Sequence, residues 1–205
     1  MSLFPMFVKL EGRRVVVVGG GEIAASKMDG LLHARAKVLV VSPAINAHIA
    51  GLVRENKIEW CEKEFASEDL EGAFLVIAAT SVPSVNESVY RAADARGLLC
   101  NAVDDIGNCH FYYGSIVQRG DLQIAISTNG KSPALAQRLR KELDAQFGPE
   151  YESWLEWLGA AREVLRSSGA SQAQNKEVLH NLASRESFER FISEAKRGPS
   201  TEGVE

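Results

Sequence analysis

Val15-Val16-Val17-Val18-Gly19-Gly20-Gly21-Glu22-Ile23-Ala24 is the stretch on which the fold turns. Four consecutive β-branched residues suit a strand covered on both faces, as in a parallel sheet. Gly19, Gly21 and Ala24 then occupy the small-residue positions of the G-x-G-x-x-G/A dinucleotide fingerprint. Gly19 permits the tight turn, Gly21 lets backbone amides approach a pyrophosphate, and Ala24 lets the next helix pack closely on the strand. The helix that follows carries Ile23, Met28, Leu31 and Leu32 on one side and brings its positive dipole end to the turn. A bare glycine triplet is a weak signal, and the strand before it, the helix after it and a second apolar strand at Lys37 to Val41 strengthen it.

Outward from this unit the βα rhythm continues. Ser42-Pro43 reads as a cap and first helical position, opening a helix from about Ala44 to Glu55 and placing Ser42 beside an adenosine ribose. No Asp or Glu stands there for the ribose 2′-hydroxyl and no Arg for a 2′-phosphate, so NAD against NADP stays open. Lys57 to Cys61 is a third strand, and the apolar stretch Phe74 to Thr80 a central fourth one. Thr80 and Ser81 lie at its carboxyl end, where open parallel sheets bind ligands, or serve as caps for the helix from Pro83 to Arg96. The fifth strand, Leu98 to Val103, delivers Asp104 and Asp105 to the same edge. Asp104 reads equally as a general base or as a loop cap beside Asp105.

Near residue 113 the pattern changes class. Ser115 to Gln118 and Asp121 to Ser127, separated by Arg119-Gly120, form an antiparallel hairpin. Ser132-Pro133 opens an amphipathic helix to about Phe147, and Gly148-Pro149 ends it. Ser127, Thr128, Lys131 and Ser132 gather hydroxyls, a cation and helix amides into one turn suited to a polyanion. The sequence therefore predicts an α/β protein: a Rossmann-like parallel-sheet domain over 1–113, a small antiparallel α+β dimerisation segment over 114–148, and a C-terminal helical domain over 149–205 with a frayed tail from Gly198. The lead-in Leu3 to Val8 is expected to pack on the core at an edge or end of the sheet.

Composition narrows the function classes. With 205 residues, 45% of them apolar, the chain can bury a proper core, and a net charge of −4 argues against a general nucleic-acid binder. No apolar run reaches bilayer length and no signal-peptide pattern opens the chain, which places it in the cytoplasm. Cys61, Cys100 and Cys109 fit reduced thiols, and Cys100, Cys109 and His110 match no structural zinc spacing and have no evident fourth ligand, so no metal site is expected.

Together, Val18 to Ala24 with Lys27, Ala78-Ala79-Thr80, Cys100-Asn101-Ala102-Val103-Asp104-Asp105 and Ala125 to Ala136 resemble the precorrin-2 dehydrogenase family, the module that also forms the N-terminal part of siroheme synthases. The resemblance covers about residues 3 to 147. It implies NAD-dependent oxidation of precorrin-2 to sirohydrochlorin in siroheme or related tetrapyrrole synthesis, with ferrous iron inserted by the same cleft in some members. It assigns catalysis to Asp104. Cofactor contacts fall on Gly21, Glu22, Ile23, Ser42 and Pro43, with Gly19, Ala24, Thr80 and Ser81 around them. The family's substrate-side serine falls on Thr128, with Asn101, Ser127, Lys131 and Ser132 as the remaining substrate contacts. It also implies a homodimer joined through the hairpin and helix of 114–147. Gly114 stands where many members have proline, and Asn129 where many have glycine. Two other readings remain beside this one. One is an NAD-binding redox-sensing dimer without tetrapyrrole turnover. The other, a generic alcohol dehydrogenase, lacks a Tyr-x-x-x-Lys pair.

Overall fold

The four valines of β1 (Arg14–Val18) are at most 2% exposed, and they sit in the middle of a five-stranded parallel sheet. The computed structural model describes residues 3–169 and 171–197. β1 leads through the glycine turn into α1 (Glu22–His33), then β2 (Lys37–Val41), α2 (Ala47–Arg54) and the short β3 (Glu59–Cys61). The chain next returns across the sheet to β4 (Leu75–Ala78), α3 (Pro83–Asp94) and β5 (Leu99–Ala102), giving the strand order β3-β2-β1-β4-β5. The direction of winding reverses between β1 and β4, the place where doubly wound sheets open a ligand crevice. Successive side chains of a strand point to opposite faces. Val15 and Val17 accordingly pack with Met28 and Ile49 on one side, and Val16 and Val18 with Leu70 and Val89 on the other.

Chain contacts divide the molecule at residue 113, with Leu3–Tyr113 as one compact unit and the residues from Gly114 onward in another. In the second unit β6 (Ser115–Arg119) pairs antiparallel with β7 (Leu122–Ile126), and Gly120 turns between them at φ +54°. α4 (Pro133–Gln146) begins where expected, with the Ser132 hydroxyl accepting the Leu135 amide. Arg119 ties β6 to α4 through the Asp144 carboxylate at 3.0 Å. α5 (Glu150–Ser167), α6 (Gln172–Leu182) and α7 (Arg185–Arg197) follow, and Tyr151 and Trp154 of α5 pack on Phe188 of α7 with ring centroids 4.3 and 4.8 Å apart. Among the described residues no helix is long and apolar enough to cross a membrane.

The α/β architecture expected from the sequence is present, with two local corrections. Ser42 caps no helix: its hydroxyl donates to the Ala44 carbonyl at 2.7 Å, and α2 starts five residues later behind Asn46, whose side chain accepts the Ile49 amide. The lead-in does not pack on the core either, since Phe4 is 85% and Phe7 70% exposed, while Leu10 is the residue that reaches the sheet. The tail from Gly198 lies outside the described residues.

Candidate functional site

The three glycines of the turn meet different surroundings. Gly19 adopts φ +122°, its amide donates to the Val41 carbonyl, and a Cβ there would lie 2.4 Å from the Ala79 carbonyl oxygen. Gly20 faces the 42–46 loop so closely that a Cβ would stand 2.0 Å from the Ala44 carbonyl oxygen. Gly21 has an ordinary φ of −87° and nothing within 4 Å of the Cβ position. Bare backbone there faces open space, in front of a helix with no side-chain cap among the described residues. The first amides of α1 thus lack the partners that helix termini need, an arrangement suited to a bound anion. Asn46 locks the turn from the other side: its amide donates to the Gly20 carbonyl at 2.8 Å and its side chain to Glu22 Oε1 at 2.9 Å.

This turn forms one wall of an open cleft of about 680 Å³ at the carboxyl ends of β1, β2 and β4. Gly19, Gly21, Glu22, Ile23, Ser42, Pro43, Thr80 and Ser81 all line it. Ala24 lies beneath, fully buried, where a larger side chain would push α1 off the sheet. Ile23 is 41% exposed to the cleft rather than packed with Met28 and Leu31. The residues present fit a dinucleotide: an anion-ready helix terminus, a floor without side chains, and apolar walls from Val41, Val82 and Phe65. Several contributors escape a local reading of the sequence. Glu64 follows β3 into the cleft wall, and Asn86 is 6% exposed and fastens Thr80 through the Thr80 amide, hydroxyl and carbonyl. The one sequence signal for Gly20 is its place as the middle glycine of the run.

Asp104 does not line that cleft. It follows Val103, whose amide donates to the Ala78 carbonyl at the end of β4, and it is exposed in the left-handed region at φ +63°. Aspartate enters this region more readily than most side chains, and residues held there cluster at functional sites. Asp105 turns inward to accept from Gly107 N at 3.2 Å and Asn108 Nδ2 at 2.6 Å, so the two neighbouring carboxylates have separate surroundings. Asn101, expected among the substrate contacts, is 6% exposed and donates to the Phe111 carbonyl at 2.8 Å, which makes it a brace for the loop rather than an open surface. Cys109 donates to the Ala102 and Asp105 carbonyls, and burial holds its thiol above the ordinary range. Burial and the neighbouring Cys109 push Cys100 up to about 12. His110 is engaged with Cys100 and Asp94. These three residues therefore act as structural groups.

In the second unit the 127–132 turn passes through Asn129 at φ +53° and Gly130 at φ +73°, which accounts for the residue types found there. Its hydroxyls serve the turn: Ser127 accepts from the Asn129 amide, Thr128 accepts from the Ser132 amide and donates to the Ser132 carbonyl, and Ser132 caps α4. Lys131 is exposed at the N-terminus of that helix. A Cβ on Gly114 would come within 2.9 Å of the Ile126 carbonyl, so this position is crowded.

A family model described as "Putative NAD(P)-binding" matches residues 6–115, and one described as "Sirohaem biosynthesis protein central" matches 119–146. A siroheme synthase from Mannheimia succiniciproducens is 38% identical over 188 residues, covering 92% of this chain and 37% of that protein. Siroheme synthase 1 of Yersinia enterocolitica is 38% identical over all 205 residues, 43% of its own length. The chain thus spans well under half the length of the siroheme synthases it matches. The solved structure of SirC, a precorrin-2 dehydrogenase, superposes with a TM-score of 0.79 at 26% identity, covering 95% of this chain and 100% of that one. With its glycine turn, its reversal-point cleft and a family model that matches residues 6–115, the chain belongs to the family described as putative NAD(P)-binding, and it is similar to siroheme synthases and to the precorrin-2 dehydrogenase SirC.

Proposed function

We propose that this protein oxidises precorrin-2 to sirohydrochlorin with NAD in siroheme or related tetrapyrrole synthesis. The observation that carries the reading is the open floor at Gly21 before an uncapped helix terminus, beside a strand end that presents Asp104 in a left-handed turn. The α1 amides receive the pyrophosphate, and Ser42 and Pro43 border the adenosine ribose. Bound NAD supplies the hydride acceptor. Two hydrogens leave the macrocycle, one as hydride and one as a proton, and Asp104 takes the proton. Within the second unit by itself, Lys131 and the N-terminus of α4, on the turn shaped by Ser127, Thr128 and Ser132, offer positive charge and helix amides that suit a carboxylate-rich ligand. Ferrous iron enters this scheme as a second substrate: its insertion displaces two pyrrole protons, and Asp104 accepts them one at a time, passing the first to solvent before taking the second. The chain works as a cytoplasmic homodimer joined through β6, β7 and α4.

Anaerobic precorrin-2 and NAD with purified protein test the reading. NADH and the sirohydrochlorin spectrum are expected to appear together. Asp104→Ala is expected to lower kcat by roughly 10²–10⁴-fold and to leave the NAD Kd unchanged. Absence of NADH overturns the reading, and NAD binding without turnover favours the redox-sensing dimer. An unchanged kcat in Asp104→Ala removes that residue from the mechanism.

A further inference from the structure

We infer that His110 is a positioning residue for Asp104, clasping the loop that carries it to the outer edge of the sheet. The inference rests on the reading of Asp104 as the proton acceptor. β5 is the last strand of the sheet, and an edge strand leaves backbone donors and acceptors in need of partners. At Cys100 one residue supplies both. The His110 amide donates to the Cys100 carbonyl at 2.8 Å, and His110 Nδ1 accepts the Cys100 amide at 3.1 Å.

That second bond fixes the tautomer. A backbone N–H only donates, so Nδ1 is bare and the ring proton sits on Nε2. Nε2 lies 3.1 Å from Asp94 Oδ1, and the ring stacks on Tyr90 with centroids 4.8 Å apart and planes 25° from parallel. Tyr90 and Asp94 are four residues apart on α3 and so share one face of the helix. The imidazole is thereby held by a strand edge, a carboxylate and an aromatic ring at once.

The clasp matters because of what the loop contains. Its entry is fixed by the Val103 amide on Ala78, one residue before Asp104, and its exit by His110 on Cys100. Between them the Asp105 side chain and the Cys109 thiol bond within the loop, which sets its shape, while Tyr112 braces it through the Ile106 carbonyl. Asp104 stays at φ +63° only while its surroundings over-determine that conformation. Opening the exit lets the loop relax and the carboxylate drift, and small misplacements of a reacting group are costly in rate.

His110→Ala and His110→Asn test this, since asparagine restores an acceptor for the Cys100 amide. In the anaerobic NADH assay, His110→Ala is expected to lose about 10- to 100-fold in kcat with the NAD KM and Kd unchanged, and His110→Asn to recover most of the loss. Hydrogen exchange at the Cys100 amide is expected to speed up in the alanine variant and return towards wild type in the asparagine one. A wild-type kcat in His110→Ala, or equal losses of kcat and NAD binding in both variants, overturns the inference. Unchanged Cys100 exchange in His110→Ala overturns the clasp alone. A wild-type protein that makes no NADH overturns the functional reading and the catalytic part of this inference, while the exchange arm still reports on the clasp.

Discussion

Two turns leave the carboxyl edge of the same sheet, and they are built on opposite principles. The turn after β1 works through missing side chains: Gly19 and Gly20 let the backbones of Ala79 and Ala44 come within distances that a Cβ would forbid, and Gly21 leaves its space open. The loop after β5 works through side chains, with Asn101, Asp105, Cys109, His110 and Tyr112 each bonded to a backbone atom. The difference follows from what each presents. A turn that offers backbone amides to a phosphate needs close approach and little else. A loop that holds one carboxylate in a left-handed conformation needs that conformation enforced from several directions.

The comparison breaks or stands first on the glycines themselves. In Gly20→Ala the new methyl meets the Ala44 carbonyl, which is backbone and must shift with the 42–46 loop, so roughly 2–3 kcal/mol of stability is expected to go together with NAD binding. Gly21→Ala meets nothing and needs no unusual φ, so its melting temperature should stay at the wild-type value while its NAD Kd rises about tenfold. Calorimetry and NAD titration on the two variants separate a packing glycine from a binding one. Equal melting temperatures in both would show that the turn does not depend on the approach of residue 44.

The same contrast explains what could be read from the sequence. β1, the glycine turn and α1 were legible because their signals are local: four valines, three small residues at fixed spacing, then a helical pattern. The Ser132-Pro133 start of α4 was legible for the same reason. Ser42-Pro43 carried the same local signal and was misleading, because Asn46 reaches across to Gly20 and Glu22 and takes the capping role that tertiary contacts favour. Phe4 and Phe7 called for burial, and apolar character alone does not say what will cover it. The hold of Asn86 on Thr80 and of His110 on Cys100 joins residues six and ten positions apart through side chains with no periodic signature.

A smaller effect is expected from Glu64, which puts an acid on the cleft wall where the sequence showed none at the usual place. It lies three residues beyond Cys61, whose carbonyl accepts the Ser42 amide, and so borders the region assigned to the adenosine ribose. A carboxylate there opposes a 2′-phosphate, and the exposure of Glu64 keeps the effect moderate. Wild-type protein is expected to bind NAD more tightly than NADP, and Glu64→Lys to shift the ratio of the two Kd values on the order of tenfold towards NADP. An unaltered ratio would place the choice of cofactor elsewhere on the wall.

The mildest test concerns the β5 side of the comparison and has no counterpart in the glycine turn, which contains no titrating group. Burial first, and Cys109 second, raise the Cys100 thiol from 9.0 to about 12, so the folded protein keeps the proton that the unfolded chain releases. The thiol's contribution is intact below pH 9, declines as pH rises above that value, and is gone by the folded value near 12. By pH 10 the expected loss is about 1 kcal/mol. Lys57 and Lys63 also have raised values and titrate at high pH, so the informative quantity is the difference between wild type and Cys100→Ala, in which their contributions cancel. Melting temperatures of the two proteins should run parallel up to pH 9 and converge above it. Curves that stay parallel to pH 11 would mean that water reaches Cys100, and that the edge closed by His110 is looser than the glycine turn it is compared with.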